Sequence, residues 1–189
     1  MSRWEPNARG RLEQAALELY SERGFDQTTV AEIAQRAGLT ERTFFRYFAD
    51  KREVLFWGEG VLHDLFVRAI AGAPDSAAPM DAMAAGLKTI GILFEGRPRE
   101  QARQRQTVIA ANAQLQEREL IKLAKLAAGI AETLCGRGVA QPAASLTAEI
   151  GVAVFKVAFE RWVDDVNSRD LAHLINESLD EVKALAAPR

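Results

Sequence analysis

The chain has 189 residues, of which 48% are hydrophobic and 26% are charged, and its formal net charge is −2. This composition excludes a disordered chain and indicates a soluble globular protein without an apolar run of membrane-spanning length. The single cysteine, Cys135, excludes a disulfide within the chain and a cysteine-based zinc cluster. Because residues 1–11 do not lead into a secretory signal, we expect a cytoplasmic protein. We also expect the protein to carry no metal and no cofactor.

Apolar residues recur at three- and four-residue spacing along nearly the whole chain, whereas the alternating pattern of strands is absent. The sequence therefore predicts an all-α fold of about nine helices. We expect a three-helix N-terminal module in residues 1–50 and a larger helical domain in residues 51–189. The predicted helices cover residues 8–23, 30–37, 41–48, 51–70, 80–94, 99–116, 119–135, 146–167 and 169–186.

The most informative segment is TTVAEIAQRAGLTERTFFRYFADK, residues 28–51. Two short helices, each preceded by threonine, flank a turn that contains glycine. Ile33, Leu39 and Phe44 have the spacing of a small core that fixes the angle between these helices. The segment therefore predicts a helix-turn-helix, the motif that places its second helix in the major groove of DNA.

The second of these helices presents side chains that can read DNA. Arg42 can pair with guanine O6 and N7, Glu41 can accept a hydrogen bond from cytosine N4, and Phe45 can contact a thymine methyl group. Arg46 is expected to face base edges or phosphates beside them. The side chains expected to contact the DNA backbone are Thr29, Tyr47 and Lys51.

Two consecutive aromatic residues, Phe44 and Phe45, support this interpretation. Consecutive side chains on a helix point about 100° apart, so both rings cannot enter the same small core. One of them must be exposed. An exposed ring beside Arg42 and Arg46 is better explained by a partner than by packing.

The segment resembles the TetR family of bacterial transcription regulators over about residues 8–56. The resemblance is carried by a helix that ends in ERGF, by TTVAEIAQRAGLT, and by a recognition helix, TFFRYFADK, that leads into the next helix. It implies a repressor with a ligand-binding C-terminal domain. The family more often has Gly or Ala where Arg42 stands and Tyr where Phe45 stands, so no operator sequence is implied. By this similarity, the residues that meet DNA are Thr29, Thr40, Glu41, Arg42, Thr43, Phe45, Tyr47 and Lys51.

Residues 1–56 carry nine basic and nine acidic side chains, so the predicted DNA-binding module has no net charge. Because phosphate contacts need cations, we expect modest non-specific affinity for DNA and a need for two modules acting together.

Apolar stripes on the last two predicted helices would either pack inside one chain or, as the resemblance implies, form a four-helix bundle with a second copy. Such a homodimer would bind a palindromic operator. The stripes consist of Ile150, Val154, Val157 and Arg161 and of Leu171, Leu174, Ile175, Leu179, Val182 and Leu185.

Residues between the two domains, mostly large and apolar with the polar Asn112 among them, could line a cavity for a small-molecule effector, although residues at helical spacing also suit a simple core. The Arg161-Trp162 pair resembles a subgroup of TetR-like regulators that sense acyl-coenzyme A. An arginine run, Arg97, Arg99, Arg103 and Arg105, could meet an anionic ligand or could form a solvated helix face. The predicted pocket residues are Trp57, Leu62, Phe66, Met83, Leu87, Phe94, Ile109, Asn112, Phe155, Phe159 and Trp162.

We expect the ligand to bind a form of the protein whose recognition helices are wrongly spaced for the operator, with the predicted helix over residues 51–70 as the lever between domains.

Two other classes of protein remain as alternatives. An enzyme is disfavoured because His63 and His173 lack a metal-ligand spacing and no phosphate-binding glycine loop or nucleophile elbow occurs. A helical adaptor that binds only protein would leave Arg42, Phe45 and Tyr47 without a purpose.

Overall fold

The computed structural model of the chain describes residues 7–56, 58–96, 98–164 and 169–186. Within these residues the chain forms nine α-helices and one 3-10 turn and contains no strand, which confirms the predicted all-α fold. The helices are α1 (Ala8–Arg23), α2 (Val30–Arg36), α3 (Glu41–Tyr47), α4 (Glu59–Ala71), α5 (Pro79–Leu93), α6 (Arg99–Ala110), α7 (Ala113–Gly136), α8 (Gln141–Asp164) and α9 (Leu171–Ala186), with the 3-10 turn at Glu53–Leu55.

The chain divides into two compact units. The first consists of Met1–Gly58 and Gln101–Glu119, and the second of Glu59–Glu100 and Leu120–Arg189. The predicted division after residue 50 differs from this, because most of α6 and the start of α7 belong with the N-terminal helices. Val108, Ile109 and Leu115 are buried in the same core cluster as the apolar residues of α1, α2 and α3. Local periodicity carries no signal for such distant contacts.

The predicted helix over residues 51–70 is wrong, because the structure contains a short turn and a separate helix there. Asp50 Oδ1 accepts hydrogen bonds from the N–H groups of Arg52 and Glu53 at 2.7 and 3.2 Å. These bonds lie just before the 3-10 turn, and α4 starts later, at Glu59. Gly58, between the turn and α4, favours the interruption, since glycine disfavours a helix by about 0.5–1 kcal/mol relative to alanine.

The predicted helix over residues 99–116 is also wrong, because α6 ends at Ala110 and α7 begins at Ala113. Asn112 causes the break: its Oδ1 accepts hydrogen bonds from the N–H groups of Gln114 and Leu115 at 3.0 and 3.3 Å. These bonds satisfy donors at the start of α7, as an asparagine N-cap does. Likewise α8 starts at Gln141 rather than 146, with Pro142 in its first turn, where proline is tolerated.

In the second unit, α5 packs against α4, α8 and α9. Small residues make these close crossings possible: Gly86 faces Phe66, Gly151 faces Met83, and Gly91 faces Ala172. Among the described residues one helix, α8, is long and apolar enough by length and composition to cross a membrane, and 44% of its most apolar window is buried inside the protein.

Replacing Gly91 by alanine should destabilise the second unit. A Cβ atom at residue 91 would lie 2.8 Å from the Cβ and 2.9 Å from the Cα of Ala172, so α5 and α9 would have to separate. We expect the free energy of unfolding to fall by about 1–3 kcal/mol, which thermal or denaturant unfolding would measure. Gly60→Ala is the matched control, because a Cβ there meets no atom within 4 Å. Equal stability of the two variants would contradict the close crossing.

Candidate DNA-binding surface and ligand-binding core

Threonine caps fix the starts of both helices of the predicted helix-turn-helix. At α2, Thr29 Oγ1 accepts from the N–H of Glu32 at 3.2 Å, and the Glu32 carboxylate accepts from the N–H of Thr29 at 2.9 Å. The hydrogen bonds that the Thr29 N–H and the Thr29 hydroxyl donate to its carboxylate lower the pKa of Glu32. At α3, Thr40 Oγ1 accepts from the N–H of Thr43 at 3.2 Å. These two caps determine where α2 and the predicted recognition helix α3 begin.

The turn between α2 and α3 depends on Gly38, whose φ is 64°. The N–H of Leu39 donates to Ala34 O at 2.8 Å, which closes the end of α2. The guanidinium of Arg11, on α1, donates to the carbonyl oxygens of Ala37 and Gly38. Contacts from α1 therefore reinforce the angle between α2 and α3.

The two neighbouring phenylalanines of α3 separate as the sequence predicts. Phe44 is fully buried in the core of the first unit, whereas Phe45 is 55% exposed. The rings meet edge to face, with centroids 5.5 Å apart. Glu41, Arg42 and Arg46 are exposed on the same helix, so α3 presents one apolar and three charged side chains to solvent.

The other predicted DNA-contacting residues have structural partners in the protein. Tyr47 and Thr43 are half-buried, while Thr29 and Thr40 are exposed and serve as caps. Lys51 is also engaged within the protein, because its Nζ donates to the carbonyl oxygens of Phe25 and Thr28 at 2.7 and 2.9 Å. Nζ also lies 4.3 Å from the centroid of the Phe25 ring. The ammonium thus ties the end of α3 to the turn before α2.

Several arginines of the first unit that lie outside α3 form ion pairs with carboxylates. Arg23 pairs with Glu32 at 2.7 Å, Arg36 pairs with Glu18 and Glu22, and Arg52 pairs with Asp50 at 2.7 Å. Arg42 makes no hydrogen bond or ion pair with any residue that the structure describes. The first unit can therefore carry a local positive surface at α3 although residues 1–56 are neutral overall.

One buried carboxyl group of the first unit should make its stability depend on pH. Burial raises the pKa of Glu13 to about 7, although the charge of Arg9 opposes this rise, and Glu13 Oε1 is buried without a hydrogen-bond partner among the described residues. The unfolded chain releases this proton near the ordinary value of 4.5, so the stability that Glu13 contributes falls as the pH rises from about 5 to 7.

Glu13→Gln should therefore raise the free energy of unfolding at pH 8, by about 1 kcal/mol after allowance for partial exposure, and have little effect at pH 5. Denaturant unfolding at both pH values measures this difference. Glu117→Gln, at an exposed position of the same unit, is the control and should change little at either pH. An effect of Glu13→Gln that is the same at both pH values would contradict the assigned titration.

A cluster that the sequence did not predict joins α6 and α7 to the 3-10 turn within the first unit. The guanidinium groups of Arg105 and Arg118 lie 5.1 and 4.9 Å from the centroid of the buried Phe56 ring. Arg118 pairs with Glu53 at 2.7 Å, and Arg105 pairs with Glu119 at 3.0 Å and donates to Leu55 O. Arginine at helical spacing looks like a solvated face in sequence, so no local signal reveals this cluster.

Five aromatic rings of the second unit contact one another in series, and we call them the aromatic cluster. Phe66, Phe155, Phe159 and Trp162 follow one another with centroids 6.2, 5.8 and 5.5 Å apart, and Phe94 lies 5.6 Å from both Phe159 and Trp162. Of the other predicted pocket residues, Leu62, Met83 and Leu87 are buried in the same unit. Ile109 and the N-cap residue Asn112 belong to the first unit. Trp57 lies outside the described residues.

An arginine lies at one end of the aromatic cluster. The guanidinium of Arg99 is 5.3 Å from the centroid of the Trp162 ring. Arg161, Arg169 and His173 all approach the Glu177 carboxylate, at 2.6, 3.3 and 3.0 Å. The predicted arginine run is therefore divided, with Arg99 in the second unit, Arg103 and Arg105 in the first, and Arg97 outside the described residues.

The predicted apolar stripes of the last two helices differ in exposure. On α9, Leu171, Leu174, Ile175 and Leu179 are buried within the single chain, as is Val154 on α8. A separate stripe on α8 remains exposed, and we call it the α8 stripe. It consists of Leu146, Ile150, Ala153 and Val157, which are spaced by four, three and four residues and so share one face.

A capped helix-turn-helix with an exposed recognition helix, in a chain whose second unit is helical and apolar, defines a DNA-binding regulator of bacterial type. Comparisons with known proteins agree. Residues 13–56 match the family model of bacterial regulatory proteins of the tetR family, and residues 77–187 match that of the MftR C-terminal domain. The chain belongs to the TetR family of transcription regulators.

Individual relatives cover this chain to different extents. The mycofactocin biosynthesis transcriptional regulator MftR of Mycobacterium tuberculosis is 28% identical over 92% of this chain and 88% of its own length. The regulator TcmR of Streptomyces glaucescens is 34% identical, but over 43% of this chain and only 36% of its own length. The crystal structure of Thermus thermophilus FadR, a TetR family repressor in complex with lauroyl-CoA, has the same fold, with a TM-score of 0.57, 24% identity and 96% coverage of both chains.

Proposed function

We propose that this regulator is a repressor that binds a palindromic operator as a homodimer and is released by a small apolar or amphipathic ligand. The observation that carries the proposal is the exposure of Arg42, Phe45 and Arg46 on α3, a helix whose start is capped by Thr40. Because its operator is bacterial DNA, the protein acts in the cytoplasm.

In this proposal Glu41, Arg42 and Phe45 contact base edges in the major groove. Backbone contacts come from Thr29, Thr40, Thr43, Arg46, Tyr47 and Lys51, which set the register of the protein on DNA without reading its sequence. The three N–H donors of Lys51 face the carbonyl oxygens of Phe25, Asp26 and Thr28. Lys51 therefore acts on a phosphate mainly through its charge.

The α8 stripe supports the dimer. Leu146, Ile150 and Val157 are 65%, 36% and 43% exposed, an apolar surface that a second copy would remove from water. A two-fold axis beside α8 would bring α8 and α9 of both copies into a four-helix bundle. Two recognition helices would then meet half-sites about one helical turn apart, which is the reason to expect a palindrome.

The aromatic cluster supports an apolar or amphipathic effector, since apolar and aromatic walls with a few polar groups are typical of small-molecule sites. Arg99, beside Trp162, suits a ligand with an anionic end. The lauroyl-CoA in Thermus thermophilus FadR makes a fatty acyl thioester the first candidate. We propose that α7, which begins in the first unit and ends in the second, replaces residues 51–70 as the lever that shifts the population toward the released form.

The ligand is tested by titrating lauroyl-CoA into the protein bound to a fluorescent operator duplex and following the anisotropy. We expect operator affinity to fall about 5- to 150-fold at saturation, the usual size of such coupling, while free coenzyme A has no effect. Phe159→Ala, which removes the ring in the middle of the aromatic cluster, should require more ligand for half release. Equal operator affinity with and without acyl thioesters would contradict this class of effector.

A further inference from the structure

Two arginines from different helices of the first unit stack on the same tyrosine ring. The Arg46 guanidinium lies 4.9 Å from the centroid of the Tyr47 ring, and its Nη2 is 3.3 Å from the Tyr47 hydroxyl. The Arg9 guanidinium, from the first turn of α1, lies 5.6 Å from the same centroid. Residue 9 is therefore placed beside the last turn of the recognition helix although it precedes the helix-turn-helix by 20 residues.

This arrangement places two guanidinium groups against one tyrosine ring on the side of the first unit where α3 ends. Guanidinium groups donate paired hydrogen bonds to phosphate oxygens, and a ring beneath them reduces their freedom before they bind. Glu13, one turn along α1, is the carboxylate whose pKa responds to Arg9. Since that pKa is about 7, Glu13 is only partly ionised near neutral pH and only partly offsets the charge of Arg9.

We propose that Arg9 binds a backbone phosphate of the operator, together with Arg46 and Tyr47, and so extends the DNA-binding surface beyond the helix-turn-helix. The inference rests on the proposed operator binding. A phosphate contact fits better than a base contact because Arg9 comes from α1 and not from the recognition helix. Such a contact adds affinity for any sequence and sets the register of the protein.

The test is the salt dependence of operator binding by the full-length protein, measured by anisotropy for wild type, Arg9→Ala, Arg9→Lys and Arg23→Ala. Each lost phosphate contact lowers the slope of log K against log salt by about 0.9, so Arg9→Ala should lower it by about 2 in a dimer. We expect about a tenfold loss of affinity at 0.15 M salt, equal for the operator and a scrambled duplex. Arg9→Lys keeps the charge and should keep the slope. Arg23→Ala, the control, removes an arginine that is paired with Glu32.

The outcomes separate this inference from the proposed function. A wild-type slope for Arg9→Ala, with the variant folded by circular dichroism, would overturn the phosphate contact while leaving operator binding intact. A loss of affinity without a change of slope would also overturn it, because it would show that Arg9 only supports the Tyr47 ring. Failure of the wild type to bind any DNA would overturn both the inference and the proposed function.

Discussion

Val157→Glu is expected to separate the proposed dimer and to reduce operator affinity at least a hundredfold. Val157 lies in the exposed α8 stripe, so a two-fold contact there would bring two introduced carboxylates into an apolar interface. Desolvating two like charges costs several kcal/mol, which exceeds what most interface side chains contribute. A monomer presents only one recognition helix, so it loses the second half-site as well.

Sedimentation of the variant at micromolar concentration gives its oligomeric state, and anisotropy gives its operator affinity. Val61→Glu is the matched control, because Val61 is a valine of the second unit that is exposed to a similar extent, 49% against 43%. We expect Val61→Glu to remain a dimer with unchanged affinity. A Val157→Glu protein that is still dimeric would show that the dimer forms through another surface.

Arg42→Ala should cost about 1–3 kcal/mol at each half-site, and so roughly 2–6 kcal/mol in a symmetric complex, because a bidentate pair with guanine is lost twice. Arg42 has no partner among the described residues, so its removal should leave stability unchanged. Arg42→Lys separates charge from base reading. We expect it to retain affinity for scrambled DNA and to lose discrimination between the operator and a duplex changed at one base pair.

The contrary result would be an Arg42→Ala protein that discriminates these duplexes as well as the wild type does. Base reading would then have to come from Glu41 and Phe45, and Arg42 would be one more phosphate contact. The salt slope would decide, because a lost phosphate contact lowers it and a lost base contact does not.

The parts of the fold that local chemistry determines could be predicted from the sequence. Helix α1 has the predicted bounds, since Gly24 ends it, and α2 and α3 start where Thr29 and Thr40 supply caps. The separation of Phe44 from Phe45 follows from helix geometry alone. The two helices predicted too long failed at signals that were present, namely the Asn112 cap and Gly58.

The remainder depends on contacts between residues far apart in sequence. The Arg118–Glu53 pair and the Lys51 contact with the Phe25 carbonyl join residues 65 and 26 positions apart, so periodicity cannot indicate them. The α9 stripe had two predicted uses, packing within one chain or against a second copy, and much of it is buried within the chain. Amphipathic periodicity shows that a helix face must be covered and does not show by what.

The most direct test of operator binding is selection of bound sequences from a random DNA pool by the purified protein, in parallel with Arg42→Ala. We expect the wild type to recover a palindrome and Arg42→Ala to degrade it at one base pair in each half-site. Recovery of no motif by the wild type at moderate salt would contradict the proposed operator binding.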